Sequence, residues 1–206
     1  MDILLHPTYF PSISHFVAMV QAKSVIFETD DNFQKQTNRN RMYIYSANGL
    51  QLLNIPVKHN KEQIHQKYRD IKIENNFNWQ KQHFKSLEAA YRTSPYFEFF
   101  EDDIRPVFEN KQTFLMDLNL KIHEIITDCL GIDIPYIETQ EFFKNVSQTD
   151  FRYLANGKKD SNTFDPYTQV FDDKHGFLNN LSILDLLFNE GRHAVDYLKN
   201  QTLIKY

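Results

Sequence analysis

The sequence predicts an α/β fold: a mixed sheet with an N-terminal strand-loop-helix-strand unit, a β-hairpin near 41–57 and a helical C-terminal half. Three observations predict it. Two short apolar runs, 2–6 and 23–28, flank a helix-length segment, the pattern of a parallel strand pair joined by a crossover. Asn48-Gly49 lies between two strand-like segments, the strongest short hairpin signal. Farther along the chain, apolar residues recur at helical spacing.

Residues 2–6 read as a buried strand that Pro7 and Pro11 must end, since proline lacks a ladder donor and fixes φ. Ser12 or Ser14 caps a helix with the stripe Phe16, Val17, Met19 and Val20, and 23–28 is the second strand. In such parallel sheets ligands gather at the carboxyl ends of strands, here His6 to Tyr9 and Glu28 to Asp31. Segments 41–45 and 50–57 form the hairpin, and 71–73 adds an edge strand. Trp79 to Arg92 is an amphipathic helix stopped by Ser94-Pro95, because the residue before proline avoids the helical region. Apolar residues at 114, 115, 118, 122, 125, 126 and 130 define a helix over 113–130, with Gly131 to stop it. A short strand at 134–137, a solvated loop at 156–162 and a helix over 178–189 complete the reading.

A chain of 206 residues, 41% hydrophobic and 15% aromatic, supports one well-buried core, so residues 1–206 are expected to form a single domain. A formal charge of −4 excludes a surface that coats a nucleic acid polymer through a broad basic field. Neither a membrane span nor a signal peptide is readable, which predicts a cytoplasmic protein. The single cysteine, Cys129, falls in an apolar helical pattern and reads as core. Five glycines without a phosphate-loop spacing name no cofactor, and the histidines show no zinc-ligand spacing, so no metal is expected.

The charge is unevenly placed. Between 32 and 61 stand Lys35, Arg39, Arg41, Lys58 and Lys61 with no aspartate or glutamate. Arginine offers a planar fork of donors that fits carboxylate or phosphate. Lys35, Arg39 and Arg41 with the amides of Asn38 and Asn40 therefore form a candidate cradle for an anionic small molecule, a sugar phosphate or a nucleotide. The plainer reading is a charged sheet edge facing water, or pairing with Glu98, Glu101, Asp102 and Asp103. Among other candidates, Tyr9 can stack on a base or sugar, while most aromatic residues make core. Asn180 and Asp185 interrupt an apolar helix and need partners, for which Arg39, Arg41 or a substrate amine are the options. His6, at a strand end, is a candidate general base, although a lone histidine is more often structural. His6 and His15 lack the spacing of the paired histidines of nucleotidyltransferases. Glu28, Asp30 and Asp31 can hold magnesium, receive an amine or cap a turn. The first strand, 28–41 and 180–189 are expected to meet around one pocket.

The ensemble of Tyr9-Phe-Pro11, Lys35 with Asn38 to Arg41, Gly49, Leu53 to Val57, Trp79 and His83, Ser94 to Phe97, Tyr167 to Phe171 and Asn180 to Asn189 resembles the WbqC-like protein family over nearly the whole chain. The chain departs from that pattern at His6, where many members carry glutamine before the proline. The resemblance implies a bacterial protein of O-antigen or other surface polysaccharide synthesis. A glycine-transferring or similar small-acyl-transferring role on a sugar is implied, or else a non-catalytic binding or assembly role. Acyl transfer needs a base and oxyanion donors, for which His6 and the amides of Asn38 and Asn40 are the candidates.

Overall fold

The computed structural model describes residues 1–58 and 65–204. His59 and Lys61 fall outside the described residues. The order is β1 (Asp2–Leu5), α1 (Ile13–Val20), β2 (Ser24–Phe27), β3 (Arg41–Ser46), β4 (Gly49–Asn54), α2 (Trp79–Tyr91), α3 (Phe97–Glu109), α4 (Leu115–Leu130), β5 (Tyr136–Glu138), β6 (Thr149–Asp150), α5 (Asp172–His175), α6 (Ile183–Glu190) and α7 (Ala194–Asn200).

The α/β class holds. A four-stranded parallel sheet runs β5-β2-β1-β6, with Ile3 opposite Val25 and Leu5 opposite Phe27. Parallel strands buried on both faces favour continuous apolar runs, and Ile3, Leu4 and Leu5 are all buried. The hairpin β3-β4 forms its own two-stranded sheet, with Ser46 paired to Gly49 across the expected turn. Gly49 takes φ +92°, which a side chain would strain. The helix α4 ends as expected on Gly131, at φ +66°. Buried side chains from every helix longer than four residues join β1, β2 and the hairpin in a common apolar core.

Three local expectations are corrected. The 71–73 segment makes only isolated bridges, Val57 to Ile73 and Lys72 to Phe114; the first is closed by Lys58 N–H donating to Lys72 C=O and Glu74 N–H to Pro56 C=O, and proline at 56 has no N–H of its own to add to a ladder. The C-terminal helix starts at Ile183, not 178. Residues 180–183 are strapped to neighbours: Ile13 N–H donates to Leu181 C=O (3.0 Å), Ile183 N–H to Pro11 C=O (2.8 Å) and Ser182 N–H to Tyr43 C=O (2.9 Å). Those bonds hold 181–182 out of the helix, and Ser182 caps α6 by accepting from Leu184 N–H. Ser12 precedes α1 without capping it, its hydroxyl being bonded to Ser14 and His15.

Candidate functional site

The loop after β1 has three polar neighbourhoods, and the predicted residues divide among them. The first lies at the carboxyl ends of the parallel strands. His6 Nε2 stands 3.3 Å from Asp31 Oδ2, and Arg39 Nη2 approaches the same oxygen at 3.5 Å. Burial and the Arg39 charge lower His6 to about 4, so its imidazole is neutral at pH 7. Burial works against the Asp31 charge, but bonding to His6 and the Asn32 amide, with the Arg39 charge, leaves its carboxyl below the usual range. Glu28 accepts from Thr139 Oγ1 (2.8 Å) and faces Arg152 Nη1 at 3.5 Å; burial still raises its carboxyl.

Arg39 does not join an open cradle. Only 1% exposed, it lies over the Tyr68 ring at 5.6 Å and donates to Thr37 Oγ1 at 3.3 Å. Asn119 grips its carbonyl at 2.7 Å. Nor do the three acids converge on a magnesium site: Asp30 pairs with Lys67 and Arg69, Asp31 with His6 and Arg39, and Glu28 with Thr139 and Arg152. Glu101 pairs with Arg92 and Arg105, not with the basic segment.

The second neighbourhood is core. Tyr9 is fully buried, its hydroxyl 2.8 Å from His83 Nδ1 and its ring edge-on to Trp79. Asp185, also fully buried, accepts from Tyr91 (2.8 Å), Tyr167 (2.5 Å) and Gln169 (2.9 Å). These donors correct the expected pairing with Arg39 or Arg41: a buried carboxylate needs several donors, and two tyrosines and an amide supply them. Tyr9 and Asp185 therefore line no shared pocket with the basic segment.

The third neighbourhood is a cleft of about 330 Å³ between β3, the entry to α1, the 157–160 turn and the strapped segment before α6. Its polar lining includes Ser12, Asn38, Arg41, Lys158, Asp160 and Asn180, with Phe10 and Tyr43 as aromatic walls. Asn38, Arg41 and Asn180, expected as binding residues, thus share one cleft. Lys35 and Asn40 line an adjoining groove of about 390 Å³, which also touches Arg41. Asn40 there braces the hairpin through Asn54 (3.0 Å) and the Ile55 carbonyl (2.9 Å).

Backbone strain is concentrated at this cleft. Among the described residues the non-glycine positions with positive φ are Phe10 (38°), Gln36 (61°) and Asn180 (54°), and all three line it. Such conformations cost about 1–3 kcal/mol each and persist where surrounding structure over-determines them, often at binding sites. Here the straps to 181–183 and the bond from Ser182 Oγ to Phe10 C=O (3.0 Å) hold the segments that carry Phe10 and Asn180.

Two residues that sequence reasoning left out of the site, Ser12 and Asp160, line this cleft, and the buried Ser14 and His15 are hydrogen-bonded to them. Ser12 and Ser14 appeared only as caps, His15 only as badly spaced, and Asp160 only as loop. Ser14 Oγ donates to Asp160 Oδ2 at 2.5 Å, although the two lie far apart in sequence. Burial lowers His15 to about 4, with Asp160 opposing and His6 and Arg39 adding to the shift. That mutual influence places His6 and His15 in one electrostatic neighbourhood despite their sequence spacing. The sequence carried no local signal for a contact made only on folding.

An uncharacterized protein of Mycobacterium tuberculosis is 28% identical over 224 residues, which cover 95% of this chain and 96% of that protein. No solved structure gives a significant match. The profile of the WbqC-like protein family matches residues 6–160, from the end of β1 to the acid in the cleft wall. The chain belongs to the WbqC-like protein family.

Proposed function

We propose that this protein is a transferase that places a small acyl or aminoacyl group, glycine being the leading candidate, on a sugar or nucleotide-linked sugar during bacterial surface polysaccharide synthesis of the O-antigen kind. The family supports the pathway through its name, and the cleft supports the substrate class. The carrying observation is the convergence on the polar cleft of the strained non-glycine backbone positions among the described residues. Asparagines, serines and a carboxylate offer the donors and acceptors that hydroxyl groups of a sugar require, while Phe10 and Tyr43 offer apolar faces for the ring. Arg41 and Lys158 at the same cleft suit a phosphate or diphosphate attached to that sugar. His6, neutral and positioned by Asp31, remains a candidate base in the neighbouring cluster.

The test incubates the protein with UDP-, GDP- and dTDP-linked amino and neutral sugars and a glycyl or acetyl thioester, and reads product mass. Acyl-sugar formation that depends on protein and is lost in Asn180→Ala supports the reading. Saturable binding of a nucleotide sugar with no product under any donor indicates the rival, a non-catalytic binding protein of the same pathway.

A further inference from the structure

We propose that the groove beside the cleft is the nucleoside subsite of a nucleotide-linked sugar, whose diphosphate lies across Arg41 and whose sugar occupies the cleft. The assignment rests on the nucleotide-linked form of the transferase reading and deepens it. The cleft of about 330 Å³ and the groove of about 390 Å³ adjoin, and Gln36 and Arg41 line both. A ligand laid across these two residues reaches into both cavities. The loop that carries Gln36 is held at each end: Phe33 N–H donates to Gln66 C=O (2.8 Å) and Asn38 N–H to Ala155 C=O (2.7 Å). Within it Thr37 Oγ1 closes the turn on Gln34 C=O (2.8 Å), and Gln36 takes φ 61°. The boundary between the cavities is therefore a fixed wall.

The two sides of that wall differ in chemistry. Serines, asparagines and the Asp160 carboxylate line the cleft and suit the hydroxyl groups of a sugar. The groove is lined instead by Phe33 and Phe77, with Lys35 and Glu74 as its charged residues besides Arg41. Phe77 is 65% exposed and takes no part in the common apolar core. An aromatic ring left in water along a cavity offers a π-face, and every nucleobase has a face to stack on it. Glu74 accepts the Asn76 N–H on Oε1 at 3.1 Å, which leaves Oε2 as an acceptor for ribose hydroxyls.

The diphosphate has its place at the boundary. Arg41 stands there, with Lys35 in the groove and Lys158 in the cleft. Among the described residues none of these three cations pairs with a carboxylate, whereas Arg39, Arg69, Arg92, Arg105 and Arg152 each do. Arg41 gives its Nε–H to Asn54 Oδ1 (3.3 Å), and its terminal nitrogens remain for a forked contact with phosphate. A base with its ribose, a diphosphate and a sugar, joined in that order, thus meet the groove, the boundary and the cleft in the same order. Coenzyme A shares the base and the phosphates, but its phosphates lead to a largely aliphatic arm, while the cleft is built for a ring of hydroxyls between Phe10 and Tyr43.

Calorimetry on the full chain at pH 7 tests the assignment with UDP-, GDP- and dTDP-glucose, the free diphosphates UDP, GDP and dTDP, glucose 1-phosphate and coenzyme A. One nucleotide-glucose and its free diphosphate should both bind more tightly than glucose 1-phosphate and coenzyme A. Phe77→Ala should weaken both about tenfold or more, the effect of one lost base stack, and Phe77→Tyr, which keeps the ring, should stay within threefold of wild type. Arg41→Ala should also weaken both about tenfold or more. Asn180→Gly, which tolerates φ 54°, should weaken the nucleotide-glucose and spare the free diphosphate. Phe77→Ala within threefold of wild type for every nucleotide, or glucose 1-phosphate or coenzyme A as the tightest ligand, overturns the nucleoside subsite. Equal losses of both ligands in Asn180→Gly overturn the placing of the sugar in the cleft. Either failure leaves the transferase reading standing, since a sugar held without a nucleotide can still accept an acyl group. Binding as expected with no product in the acyl-transfer assay fells the transferase reading and leaves the subsite.

Discussion

Replacing Arg39 by alanine should destabilise the protein far more than replacing Arg41, two residues away. Arg39 is buried, shares the Asp31 carboxylate with His6, donates to Thr37 and packs over Tyr68. Removing one partner of a buried ion pair costs about 3–5 kcal/mol because the other charge is left uncompensated. Asp31 keeps His6, the Asn32 amide and some contact with water, so the lower end, about 3 kcal/mol, applies. Arg39→Met retains the stem that covers Tyr68 and should cost about 1–2 kcal/mol less than alanine. Arg41 is half-buried, its side chain bonded to Asn54 at 3.3 Å, and Arg41→Ala should cost about 0–1 kcal/mol. Urea unfolding followed by circular dichroism measures this: with a slope of about 2 kcal/mol/M, the alanine variant at 39 should unfold about 1.5 M earlier. A loss below about 1 kcal/mol at Arg39, or equal losses at 39 and 41, would refute a buried structural role for Arg39.

Asp185→Ala should cost about 3–6 kcal/mol by orphaning the donors of Tyr91, Tyr167 and Gln169, whereas Asp185→Asn should recover part of that loss; thermal unfolding of both separates them. Acid should destabilise the fold between pH 6.5 and 4. His6, His15 and His83 are each lowered to about 4 by burial, so the unfolded chain binds more protons in that window and stability is lost as the pH drops through it. Urea midpoints at pH 7, 6, 5 and 4 test this, a flat profile counting against the three neutral histidines. Gly191→Ala should cost about 2–3 kcal/mol, since a Cβ there meets the Tyr96 ring at 2.8 Å and φ is +54°. Gly131→Ala, strained at φ +66° but in open space, should cost about 1 kcal/mol by the same urea measurement.

The fold was legible where local chemistry decides it. Apolar runs gave β1 and β2, Asn48-Gly49 gave the hairpin, and the stripe ending on Gly131 gave α4. The helix α3 was not visible because Pro106 lies inside it and its charged face looks like a loop; its apolar side, Phe97, Phe100, Ile104 and Val107, is buried. Residues 178–182 carry a helical pattern, yet tertiary bonds to Pro11, Ile13 and Tyr43 override it. The site was half legible for the same reason. Asn38, Arg41 and Asn180 stand out as polar residues in aromatic or apolar surroundings, and they meet in the cleft. Arg39 carries the same charge as Arg41, and nothing in its neighbours along the chain says that one is buried and the other is not. Asp160 joins Ser14 only through folding, so its place in the cleft wall has no sequence signature.

The most direct measurement is amide shift mapping of the ¹⁵N-labelled protein during titration with whichever nucleotide sugar in the panel most raises its melting temperature. The account predicts saturable shifts concentrated at Ser12, Asn38, Arg41, Lys158 and Asn180, around the strained cleft. Shifts concentrated instead at Met19, Lys23, Ile132 and Lys199, which line a separate cavity of about 270 Å³ at the amino ends of β2 and β5, would contradict it.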